Sequence, residues 1–152
     1  MDEALKWLVS ATLLLICFVG WLGGRTTRVA GRWRDDNRVI DLHQFGPWLS
    51  GSCPRPGGSE IYKGLALFGH VRLLRYVRGP QHLIDMGFTA DVVPLLDGRA
   101  FANLKLRLAN NKGDELDGIF EGRHFSFEYQ PARIKSIARL EPQPRRWFKR
   151  ND

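Results

Sequence analysis

Residues 100–108, AFANLKLRL, alternate without a break. Ala102, Leu104, Leu106 and Leu108 fall on one side, and Asn103, Lys105 and Arg107 on the other. Successive side chains of an extended chain point to opposite faces, so this stretch makes one apolar face and one wet face. A half-buried antiparallel strand needs that arrangement. The same period of two runs through residues 116–122 and 125–129, and more weakly through 39–45. A chain built from such strands must also dispose of its edges, because unpaired N–H and C=O groups recruit other chains. Closing the sheet on itself removes them.

Turn signals divide the chain. Gly46-Pro47 ends the first strand, and residues 48–50 resume an extended segment. Residues 51–59, GSCPRPGGS, have the composition of a loop. Residues 65–77 read as one long strand with a bend at Gly69, and residues 83–93 as another, with Ile84, Met86, Phe88, Ala90 and Val92 on one face. Asp97-Gly98 is a hairpin signal. A tight turn is expected near Gly122-Arg123, and residues 134–140 fit either a strand or a short helix. The expected fold class is an all-β antiparallel meander of about eight strands, forming a small closed or nearly closed barrel.

One segment falls outside this pattern. Residues 7–24, WLVSATLLLICFVGWLGG, carry no charge, and Trp7 and Trp21 stand near the two ends. With Ala4 and Leu5 the run is long enough to cross a hydrocarbon core of ~30 Å as a helix. The start, MDEALK, lacks the basic region of a cleaved signal peptide. The expectation is one N-terminal transmembrane helix, uncleaved. Lys6 precedes it, whereas Arg25, Arg28, Arg32, Arg34 and Arg38 follow. The positive-inside rule puts the following domain in the cytosol, anchored to a bacterial inner membrane. Cys53 is the only cysteine after the run, so the domain forms no internal disulfide. The expected organisation is an anchor over residues 1–24, a barrel domain over 25–140 and a basic aromatic tail over 141–152. Of the 23 Lys and Arg residues, 22 lie after the run, against 14 of 16 acids. That excess suits anionic lipid headgroups or a small anionic ligand.

Gly31-x-Trp33 stands just before the first strand, and Gly-punctuated hairpins end in LDGIFEGRHFSFE. With the meander of short strands, these features resemble the calycin superfamily of lipocalin-like barrels. The resemblance implies a barrel in which Gly31 and Trp33 close one end, with a basic side chain from the last strand packed across the ring; Arg133 and Arg139 are the candidates. The plan of an N-terminal helix and a small cytosolic barrel also resembles effectors of bacterial antiphage defence. Those effectors sense a cyclic nucleotide and oligomerise in the membrane, though they usually carry two helices.

The chain has no G-x-S-x-G, phosphate loop, G-x-G-x-x-G or H-E-x-x-H. His43, His70, His82 and His124 form no metal-ligand spacing. No catalytic residue, metal or cofactor is expected. Arg75 shares a face with Val71, Leu73 and Val77. Turned inward, it is a charge in an apolar lining that needs a carboxylate or an anionic ligand. With the register reversed, Arg72, Tyr76 and Arg78 line the interior instead. In the tail, Arg145, Arg146, Lys149 and Arg150 surround Trp147 and Phe148. They are candidates for contact with membrane lipid or a partner; nucleic acid is not expected. The sequence therefore points to a non-enzymatic, membrane-anchored binding module that forms homo-oligomers or joins a membrane complex. The alternative is an accessory or assembly subunit with no small-molecule ligand.

Overall fold

The computed structural model describes residues 3–24 and 26–150; Arg25, one of the arginines used to orient the anchor, lies outside the described residues. Helix α1 spans Glu3–Gly24. Then come β1 (Gly31–Asp35), β2 (Arg38–Phe45), β3 (Trp48–Arg55), β4 (Gly58–Leu67) and β5 (His70–Arg78). A short helix α2 (Pro80–Asp85) and a 3-10 turn (Val93–Leu96) lead to β6 (Ala100–Leu108), β7 (Glu115–Tyr129), β8 (Ala132–Arg139) and β9 (Gln143–Lys149).

All strand pairs are antiparallel. Strands β1 to β7 pair in sequence, β9 pairs with β7, and β1 pairs with β9. The result is a closed barrel of eight strands, the architecture that the calycin resemblance implies. β8 lies outside the closed circuit. Strand β7 runs for 15 residues; its first half pairs with β6 and β9, and its second half pairs only with β8. The turn expected near Gly122 is therefore absent, and β7 and β8 project beyond the barrel as a hairpin.

The alternation is obeyed where it is cleanest. Ala102, Leu104 and Leu106 of β6 are buried, as are Ile40 and Leu42 of β2 and Val71 and Leu73 of β5. These side chains fill the interior around Trp33, Tyr62 and Trp147, both tryptophans being 0% exposed. At one inward position the neighbouring strand leaves no room for a side chain. A Cβ on Gly64 would strike the carbonyl oxygen of Arg72.

Other expectations are corrected. Residues 51–59 are not a loop but the facing parts of β3 and β4, joined at Pro56-Gly57. The long strand at 65–77 is two strands meeting at Phe68-Gly69. The strand expected at 83–93 is replaced by α2 and a loop: Pro80 starts a helix, and Gly79 and Gly87 take φ of 102° and 97°. Asp97-Gly98 turns the chain into β6 without joining two neighbouring strands. Residues 134–140 fall largely in β8. The tail is not a tail, since β9 closes the barrel and Trp147 lies in its core.

The two ends of the barrel differ. At the helix end, residues 26–30 cross the opening. Thr27 Oγ1 accepts from Gly69 N at 2.6 Å, and Gln44 Nε2 donates to Thr27 O at 2.7 Å. Trp33 donates from its indole nitrogen to Val29 O at 2.7 Å. Lys149, not Arg133 or Arg139, lies across the ring, with Nζ 5.8 Å from its centroid. Gly31 takes φ 126°, a conformation that favours glycine, and a Cβ there would meet only the flexible end of Lys149, with Cε at 2.9 Å. At the far end a second apolar cluster joins Val77, Leu83, Leu96, Phe101 and Phe125.

Helix α1 has 22 residues, and its large apolar side chains, including Trp7, Leu14, Ile16, Phe18 and Trp21, are exposed. Among the described residues, no helix is long and apolar enough to cross a membrane.

Trp33→Ala is expected to destabilise the barrel by about 3–5 kcal/mol, the cost of emptying a buried aromatic site. Urea unfolding of the detergent-solubilised chain measures it, and unchanged stability would mean that Trp33 closes nothing.

Candidate functional site

The far end of the barrel interior is charged. Inward positions on five strands place Asp35 (β1), Arg38 (β2), Arg55 (β3), Glu60 (β4) and Arg75 (β5) there, and Arg145 enters from β9. Asp35, Glu60 and Arg75 are buried. Arg38, Arg55 and Arg145 are each about a fifth to a quarter exposed.

Glu60 is the centre. Its Oε1 lies 3.1 Å from Arg75 Nη2, 3.4 Å from Arg55 Nε and 3.8 Å from Arg38 Nε. Its Oε2 accepts from the Tyr62 hydroxyl at 2.8 Å. Burial by itself would raise this carboxyl, but Arg75, the Tyr62 hydroxyl, Arg38 and Arg55 together outweigh it and hold Glu60 below its ordinary value. Burial lowers the Arg75 guanidinium, with Glu60 opposing. Tyr62 is raised by burial and by the adjacent carboxylate.

Asp35 is held less well. Arg38 Nη1 is 3.8 Å and Arg145 Nη1 3.9 Å from its carboxylate, while the same Arg145 atom donates to Asp36 at 2.7 Å. Burial raises the Asp35 carboxyl, and Arg145 and Arg38 offset that only in part. Phe120 lies between two of the cations, 5.8 Å from Arg75 and 5.3 Å from Arg145, centroid to guanidinium carbon.

The charges do not balance. Four guanidiniums meet two buried carboxylates and the exposed Asp36. The Nε atoms of Arg38, Arg75 and Arg145 are buried with no hydrogen-bond partner. Buried donors without acceptors are costly. A group bringing two or three acceptor oxygens fits that deficit. Among the described residues, no group of three His, Cys, Asp or Glu side chains is placed to hold a metal ion.

Arg75, singled out by sequence, faces inward and has the carboxylate that such a position needs. Arg72 and Arg78 are exposed on the outer face, and Tyr76 is half-buried there. Tyr76 and Arg78 line a cavity of 280 Å³ with Lys63, Val77 and Asp97. The tail residues divide by parity. Arg145, Trp147 and Lys149 point inward, whereas Arg146 pairs with Glu115 at 3.1 Å and Phe148 is half exposed. Arg150 follows β9, its backbone N–H bonded to Arg32 O at 2.8 Å.

Asp35, Arg38, Arg55 and Glu60 were not legible as site residues. One signal was present: Gly51-x-Cys53-x-Arg55 and Glu60-x-Tyr62-x-Gly64 flank Pro56-Gly57 in phase, as the two arms of a hairpin.

Glu60→Gln leaves Arg75 buried with no carboxylate and is expected to cost about 3 kcal/mol at neutral pH. Because the folded value is depressed, that contribution is present above the ordinary 4.5 and is lost as pH falls below it. Asp35 has the opposite sign. Its value is raised, so its contribution is present below the ordinary 3.8 and lost as pH rises through the folded value. Asp35→Asn should therefore gain on the parent as pH rises. Urea midpoints of both variants against the parent across this range test the pair.

No family model matches the chain, and neither a curated protein nor a solved structure matches it, so the role of the far end rests on its own residues.

Proposed function

We propose that the chain is a membrane-anchored, non-enzymatic binding module whose far end captures a small anion bearing phosphate or carboxylate groups. One observation carries this reading. Four guanidiniums converge on two buried carboxylates, and three of them keep buried, unpartnered Nε donors. Arginine presents two N–H groups on one edge, which match two oxygens of phosphate or carboxylate. Glu60 fixes Arg75 as the floor, and Arg38, Arg55 and Arg145 are the partly exposed arms.

The anchor in this reading is α1, on the strength of the uncharged run at residues 7–24 and of its exposed apolar side chains. The arginines that follow favour a cytosolic barrel. A cyclic nucleotide fits the ligand class, and the plan resembles that of antiphage effectors, in which ligand capture alters self-association of the anchors.

A second reading, an assembly subunit docking a partner protein, is favoured by β8. It is an edge strand with one partner only, and Tyr129, Ile137 and Leu140 are exposed around it. A partner co-purifying from native membranes at fixed stoichiometry, lost on Ile137→Asp, would favour that reading.

Calorimetric titration of the chain in nanodiscs with phosphate, cyclic mononucleotides and cyclic dinucleotides tests the first. At least one is expected to bind. Arg38→Ala, Arg55→Ala or Arg145→Ala should weaken binding about tenfold or more, the loss of a charge-assisted hydrogen bond. Arg72→Ala, on the outer face, should not. Failure of every probe to bind the folded chain removes the ligand.

A further inference from the structure

The helix end carries an apolar surface that the barrel does not use. Phe45 (87% exposed) and Trp48 (62%) face each other across the Gly46-Pro47 turn, and Leu65 sits opposite Trp48 on β4. Phe68 (51%) tops the next turn. Phe68 takes φ 53°, a left-handed conformation that favours glycine or asparagine, so an aromatic there is held at a local cost. Neither turn contains an acid.

This surface is continuous with α1. The Trp21 ring meets Phe68 edge to face at 5.9 Å and stacks on Phe18 at 6.1 Å. Exposed apolar side chains thus run from the helix onto the turns of the barrel. Aromatic rings at the junction of an apolar segment and a polar domain suit the headgroup layer, where one edge is wet and the other is not.

We infer that these turns seat the barrel in the headgroup layer of the bilayer to which α1 anchors the chain, with Phe45, Trp48, Leu65 and Phe68 as interfacial contacts. The inference rests on the anchoring reading above. Its consequence is orientation. A strand of eight residues tilted in a barrel rises roughly 20 Å. Seating the helix end therefore holds the arginine-lined end away from lipid.

The test uses the whole chain in vesicles of phosphatidylcholine with a minor fraction of phosphatidylglycerol. An environment-sensitive fluorophore is attached through Trp48→Cys, Phe68→Cys or, at the far end, Asn37→Cys. Cys17→Ser removes the exposed native thiol, and Cys53 is buried. Circular dichroism confirms that each labelled chain is folded. A lipid carrying a nitroxide near its headgroup should quench the labels at 48 and 68 several-fold more than the label at 37. Equal quenching at all three sites overturns the inference. So does shielding of 48 and 68 from both the lipid quencher and aqueous iodide, which would mean that a second copy of the chain covers the surface. If the chain does not float with vesicles, the anchoring reading falls and this inference with it. If it floats and the turns escape the lipid quencher, only this inference falls.

Discussion

The barrel depends on one seam. β1 is five residues long and meets β9 through only two residue pairs, Trp33 with Lys149 and Arg34 with Phe148. Every other strand of the circuit is joined by a longer ladder. So short a seam needs side chains to hold it, and it has them at both ends. Lys149 lies over Trp33 at the helix end, and Arg145 reaches Asp35 and Asp36 at the far end. Loss of the seam would open two sheet edges at once and expose Trp33 and Trp147 to water.

The far-end staple is also where the barrel is most polar, and the two facts are connected. Closing an eight-stranded barrel brings inward positions from opposite strands within a side chain's reach. Apolar residues fill that space over most of its length. At the far end arginines and acids fill it, and Glu60 gathers three guanidiniums around one carboxylate. The network sets four guanidiniums against three carboxylates, Asp35, Asp36 and Glu60, and the Nε donors of Arg38, Arg75 and Arg145 have no hydrogen-bond partner. The anion-binding proposal rests on that imbalance.

How much of this the sequence disclosed depended on where the information lies. β6 is read correctly because from Ala102 to Arg107 its residues obey the local rule, apolar inward and polar outward. Gly31-x-Trp33 is expected just before the first strand and instead lies within β1, a strand too short to show an alternation of its own, with Trp33 buried in the core. The hairpin of β3 and β4 is missed because its inward residues include Gly51, Arg55 and Glu60, which face inward for reasons held on other strands. The tail is missed because Pro142 and Pro144 read as breakers. Pro144 is tolerated because β9 at that point pairs with β7 alone, leaving its missing N–H on the open side. Residues 83–93 mimic a strand by period, yet Pro80 and two left-handed glycines impose a helix and loop. The charged end was half legible. Arg75 identified itself as a cation on an apolar face, but its partner Glu60 lies 15 residues earlier, and only the register joins them.

The claim that the surplus guanidiniums await an anion is tested most directly by nitrogen NMR of the arginine Nε–H groups. In the folded chain, titration with inorganic pyrophosphate should move the Nε–H resonances of Arg38 and Arg145, with Arg75 following. Arg72 and Arg107 on the outer face should stay fixed. Resonances that do not move, or that move equally at all five arginines, would contradict the account and leave the far end as a structural network alone.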